Sequence, residues 1–144
     1  MIFSKDKNVL VIATKQDTAK NMVTKVRFAY DNLPNWMKIG AAATSNNALS
    51  LRLTNGSQIK AVSAAGDAGR SEAVSLLVID EAAFIEADSD FWSACMASLS
   101  TGGKVIVVST PNGYDAIYYE IYDQSLRGMN DFKVTEMFWH RDPR

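Results

Sequence analysis

The 144-residue chain has one cysteine, one histidine and three prolines, and each scarcity removes a class of protein. Cys95 alone cannot close an internal disulfide, which excludes a disulfide scaffold and fits a reducing compartment. His140 stands beside Arg141 and Asp142 without a neighbouring metal-ligand pattern. No apolar run approaches the ~20 residues that span a bilayer, and Met1-Ile2-Phe3-Ser4-Lys5 lacks the charged-then-apolar order of a signal peptide, so no membrane association is expected. Charge of one sign is lacking too. Fifteen Lys+Arg against sixteen Asp+Glu leave a net charge of −1, which argues against a protein that coats nucleic acid through bulk positive charge.

What is present is an ordinary globular composition, 47% hydrophobic and 22% charged. A chain near this length buries about 68–70% of its unfolded surface, so one domain needs no covalent or metal staple. No repeat, low-complexity tract or linker divides it.

Val9-Leu10-Val11-Ile12-Ala13 is a continuously apolar, β-branched run, the pattern of a strand covered on both faces. Thr14 and Asp17 then have capping-box spacing, and Ala19, Met22, Val23, Val26, Ala29, Tyr30 and Leu33 recur at helical spacing until Pro34. From Leu49 to Val62 the period falls to two around Asn55-Gly56, which predicts a hairpin whose turn residues both take positive φ. A second buried run, Leu76-Leu77-Val78-Ile79, is followed by a helix that Asp88, Ser89 or Asp90 caps and that turns Phe91, Trp92, Cys95, Met96 and Leu99 to one face before Gly102-Gly103. Val105-Ile106-Val107-Val108 is the third buried run. A helix over Asp115 to Leu126 and a last strand through Phe132, Val134, Glu136 and Phe138 complete the reading. The order β-α-ββ-β-α-β-α-β predicts an α/β sandwich with a largely parallel central sheet and one β-hairpin. Trp36, Trp92 and Trp139 are expected in the core or at an interface.

In open α/β sheets ligands gather beyond the carboxyl ends of parallel strands. Three such ends carry polar groups: Ala13-Thr14-Lys15, Asp80-Glu81 and Ser109-Thr110-Pro111-Asn112-Gly113. Two adjacent carboxylates at one strand end suit phosphoryl transfer, the first holding Mg²⁺ through its water shell and the second orienting the attacking water. The hydroxyls and amide of 109–112 suit contact with a terminal phosphate or with that water. A strand-to-helix loop of the form G-x-x-x-x-G-K-[ST] is missing. Gly102-Gly103-Lys104 precedes its strand, so it belongs to the opposite sheet edge, and Gly66 to Ser71 lacks the lysine. Both are read as turns.

The run Leu77-Val78-Ile79-Asp80-Glu81-Ala82-Ala83-Phe84-Ile85 followed by Val108-Ser109-Thr110-Pro111-Asn112-Gly113 resembles the Walker B and coupling motifs of the large terminase subunit of tailed bacteriophages. Lys5-Asp6-Lys7, Asn32-Leu33-Pro34 and Asn55-Gly56-Ser57 have counterparts in the same order. The resemblance implies a P-loop NTPase-like fold of the ASCE/RecA type, with ATP and Mg²⁺ as ligands. By position, Asp80 matches the magnesium acid and Glu81 the catalytic carboxylate. Ser109, Thr110 and Asn112 match the nucleotide-contacting segment that couples the γ-phosphate state to subdomain movement. Arg70 is similar in place to an arginine that some terminases extend into a neighbouring subunit's site, although Ser71 departs from the glycine often found next. The family's Walker A loop is expected before Met1 and its nuclease domain after Arg144, so residues 1–144 are expected to be a partial ATPase domain, truncated at its N-terminus. Implied partners are double-stranded DNA, a portal protein, the small terminase subunit and further copies in a homo-oligomeric ring, in the host cytoplasm. A helicase-like translocase fragment and a non-catalytic remnant that only docks onto packaging proteins are the competing readings.

Overall fold

The computed structural model describes residues 1–64, 73–86, 89–114 and 117–142. Its centre is β1 (Asn8–Ala13), which pairs in parallel with β4 (Gln58–Ser63) on one side and β5 (Leu76–Ile79) on the other. Being central, β1 is covered on both faces, as its unbroken apolar run predicts. Val11 and Ala13 enter one core and Ile12 the other. Beyond β5 lies β6 (Lys104–Val107), also parallel. Beyond β4 come β3 (Ser50–Leu53) and β2 (Ala43–Asn47), both antiparallel. The six-stranded order is β2-β3-β4-β1-β5-β6.

The first face is closed by α1 (Gln16–Asp31), which buries Ala19, Val23 and Tyr30 and half-buries Met22 and Val26 against β1, β3 and β4. Tyr30 Oη donates to Ala41 O (2.8 Å), which ties the helix end to the chain entering β2. Arg27 donates through Nη2 to the carbonyls of Asn47 and Ser50 and so pins the β2–β3 turn. The opposite face is closed by α2 (Ser89–Ser98), whose Cys95 is fully buried among Ile12, Val74, Leu77 and Ile79. Phe91, Trp92, Met96 and Leu99 pack around that cluster, as the helical spacing predicts. The cap expected from Asp88 lies outside the described residues. A third helix, α3 (Ile117–Leu126), brings Ile117 and Ile121 beside Trp92 and Val107.

Five expectations change. The predicted hairpin is part of a three-stranded meander, because polar Ala43–Asn47 pairs with β3 as an edge strand. Only Gly56 has positive φ in the hairpin turn (φ +80). Asn55 instead accepts the Ser57 N–H on its side-chain oxygen (3.0 Å), and Leu53 N donates to Ser57 O (2.9 Å), a three-residue loop with a left-handed glycine. The Phe132–Phe138 segment forms no strand. It is held to α3 instead, with Tyr122 Oη donating to Glu136 Oε1, and it borders a cavity of about 530 Å³ whose other walls are mainly 109–114 and α3. The third apolar run, expected to be buried, is covered on one face only: Val105 and Val107 pack on the α2 cluster, while Ile106 and Val108 are 49% and 50% exposed. Trp92 enters the core, and Trp36 and Trp139 are 67% and 88% exposed.

Candidate active site

Register places the three polar strand ends level with one another. Ile12 lies opposite Ile79, and Ile79 opposite Val107. The ladder runs on past the strands, with Asp80 N donating to Ile12 O (2.9 Å), Val108 N to Ile79 O (2.9 Å) and Ala82 N to Val108 O (3.1 Å). Thr14, Asp80-Glu81 and Ser109 therefore share the carboxyl edge of the parallel strands, where α/β sheets bind their ligands.

At this edge the backbone turns sharply. Glu81 has φ 53 and ψ 38, and besides Asp6 it is the one non-glycine residue with positive φ among the described residues. A left-handed glutamate costs about 1–2 kcal/mol, and such strain gathers at functional sites. The half-buried Asp80 supports the turn by accepting the Glu81 N–H on Oδ1 (3.0 Å). A short 3-10 turn, Ala82–Phe84, follows directly. The conformation swings the Glu81 carboxylate over the end of β1, where Thr14 Oγ1 donates to Oε2 (2.7 Å).

This bond corrects the reading of Thr14 as a helix cap. The N-cap of α1 is Lys15, without a side-chain capping bond, and the Thr14 hydroxyl serves the acidic pair. Its place at a strand end carried the signal; its partner lies 67 residues away.

On the other side of β5, Ser109 Oγ accepts the Ala83 N–H (3.0 Å), and Asn112 Nδ2 donates to Ala83 O (3.1 Å). Thr110 is exposed beside them and lines the cavity against α3. Tyr118 of α3 places its hydroxyl 3.5 Å from Ser109 O. The structure thus joins 109–112 to the acidic segment through the main chain of Ala83. The carboxylates of Asp80 and Glu81 do not line the cavity that Ser109, Thr110 and Asn112 border. Arg70 lies outside the described residues.

Among the described residues, no three His, Cys, Asp or Glu side chains converge as a metal cage. Magnesium asks for less, since it keeps several waters and takes one or two carboxylates plus substrate phosphates. Asp80, with Oδ1 engaged by Glu81 N–H and Oδ2 remaining, fits that demand. Gly102, at φ +88, ends the turn after α2 at the amino end of β6, so Gly102-Gly103-Lys104 sits at the sheet edge opposite Asp80, as its place in the sequence predicts.

A mostly parallel sheet flanked by helices, with an acidic pair and a hydroxyl-bearing loop at adjacent strand ends, is a P-loop-like α/β architecture, the fold that the solved structures below share. Within that class the chain belongs to the phage large terminases: the family described as "Terminase large subunit, T4likevirus-type, N-terminal" matches residues 1–139. Solved structures agree in fold. A variant ATPase domain of the Thermus phage P74-26 large terminase superposes with a TM-score of 0.68 at 22% identity, over 82% of this chain and 53% of that one. The HK97 bacteriophage large terminase gives 0.65 at 20% identity, over 86% of this chain and 26% of that one. The large terminase of the thermophilic bacteriophage D6E in complex with ATP-gamma-S gives 0.64 at 15% identity, over 90% and 31%. The chain spans about half of the P74-26 ATPase domain. No helix among the described residues is long and apolar enough to cross a membrane.

Proposed function

We propose that residues 1–144 are the part of a DNA-packaging ATPase that carries the Walker B acids and the coupling segment, and that the whole protein hydrolyses ATP to move double-stranded DNA into a procapsid. The observation that carries this reading is the level placement of Asp80-Glu81 and Ser109 at the carboxyl ends of β5 and β6, in a chain whose family match runs from residue 1 to 139. Asp80 would hold Mg²⁺ through its water shell, and Glu81 would orient and polarise the attacking water. Magnesium supplies charge neutralisation on the phosphates. Arg70, given to the site of an adjacent subunit in a ring, would stabilise charge on the transferring group. Portal protein, small terminase subunit and DNA are the partners this role requires, and the host cytoplasm is its place.

A phosphate-cradling loop with its lysine and hydroxyl supplies much of the affinity for a nucleotide triphosphate. The 144-residue chain is therefore expected to hydrolyse ATP poorly, and the chain extended upstream by a segment carrying Gly-Lys-Thr or Gly-Lys-Ser is expected to hydrolyse it well. Glu81→Gln in the extended protein should abolish turnover while nucleotide titration still shows binding. Full activity in that variant would show Glu81 to be misassigned, and absence of nucleotide binding by the extended wild type would remove the ATPase reading altogether.

A further inference from the structure

Ala83 is a buried alanine whose N–H and C=O are both taken by side chains, Ser109 Oγ at 3.0 Å and Asn112 Nδ2 at 3.1 Å. These partners are 26 and 29 residues away and belong to one loop. With Ala82 N on Val108 O (3.1 Å), three polar groups of the two residues after Glu81 are tied to the segment 108–112. Glu81 itself holds a left-handed backbone, which persists in a non-glycine residue only where the surroundings over-determine it. Asp80 restrains its N–H and Thr14 its carboxylate. The turn that leaves it is restrained through Ala83.

We propose that Ser109 and Asn112 are positioning residues that act through the Ala83 main chain to hold Glu81 in its left-handed conformation, so that the end of β6 dictates where the Glu81 carboxylate points. The catalytic half of this inference rests on the proposed ATPase function; the structural half does not. Both side chains make these bonds to the Ala83 main chain. Tyr118 of α3 places its hydroxyl 3.5 Å from Ser109 O, beside this linkage.

The test begins with amide exchange and backbone chemical shifts of the 144-residue chain. Protection at Ala83 and a left-handed shift signature at Glu81 are expected in the wild type; an unprotected Ala83 amide overturns the proposal without any variant. Ser109→Ala should speed exchange at Ala83 by about tenfold or more and move the Glu81 signature, while Leu77 in β5 keeps its protection. Asn112→Asp, which keeps the shape and loses the donor, should move Glu81 as well. Ser109→Thr, which keeps the hydroxyl, should restore both signals. Unchanged Glu81 signals in Ser109→Ala and Asn112→Asp overturn the clamp. In the upstream-extended protein, either variant should lower kcat by about 10- to 100-fold, the scale of a small misplacement, with KM for ATP within about twofold. A rise in KM at constant kcat would assign the two residues to phosphate binding and overturn positioning. If the extended wild type hydrolyses nothing, the ATPase reading and the catalytic half fall together, while the Ala83 and Glu81 signals still decide the clamp.

Discussion

Thr14 Oγ1 donates to Glu81 Oε2 across 2.7 Å, joining the ends of two parallel neighbours, β1 and β5, that are 67 residues apart in sequence. The bond is charge-assisted but partly open to water, which limits its net contribution to about 1 kcal/mol. Thr14→Val, which keeps the shape and deletes the donor, should therefore lower unfolding free energy by about 1 kcal/mol. Thr14→Ser should stay close to the wild type. Urea titration of the three proteins measures both differences.

The left-handed backbone of Glu81 makes a separate prediction about stability. Glycine adopts this conformation without the steric clash that a Cβ brings, so Glu81→Gly should be more stable than Glu81→Ala by about 1 kcal/mol. Both lose the Thr14 bond, which therefore cancels from the comparison. Equal stabilities would show that the turn relaxes once the carboxylate is gone.

Two adjacent glycines after α2 are predicted to differ. A Cβ on Gly103 would lie 2.2 Å from Val74 O and 2.8 Å from Leu99 Cδ2, whereas one on Gly102 meets nothing within 4 Å. Gly103→Ala must push apart the backbone that leads into β5 and should cost about 2–3 kcal/mol. Gly102→Ala carries only the penalty of its positive φ, about 1 kcal/mol. Thermal or urea unfolding of the two variants gives the order.

Burial pushes the Cys95 thiol from its ordinary 9.0 up to about 11. In the folded chain it should react slowly with thiol reagents at pH 8 and quickly in denaturant. Between pH 9 and 11 the unfolded chain releases this proton while the folded chain retains it, so this contribution to stability is complete below pH 9 and falls as pH rises to 11. Cys95→Ala should remove that slope from a stability profile taken over the same range.

Much of this architecture was legible because burial writes itself locally. The apolar runs of β1 and β5 and the helical spacing of α1 and α2 are each explained by the faces they bury, whereas β6 buries only the Val105 and Val107 face of its run. What escaped depends on partners distant in sequence. Ala43–Asn47 is polar and becomes a strand only through main-chain pairing with β3. Phe132–Phe138 alternates as a strand should, but its contacts go to α3, where Tyr122 Oη donates to Glu136 Oε1, and no described strand pairs with it. At the site, the residue types and strand ends of Asp80, Glu81, Ser109 and Asn112 were readable. The left-handed turn at Glu81, the Thr14 hydroxyl upon it and the grip on Ala83 arise from contacts 26 to 67 residues long, which spacing does not encode.

The two margins of the sheet are unlike. At β2 an approaching strand meets exposed Thr44 and Asn47, side chains as content in water as in a ladder. Along β6, whose ladder partner among the described residues is β5 alone, it meets Ile106, 49% exposed, and next to it Val108, 50% exposed, where pairing also removes hydrocarbon from water. Covering the β6 margin therefore takes more hydrocarbon out of water than covering β2 does, and it does so next to the loop that grips Ala83.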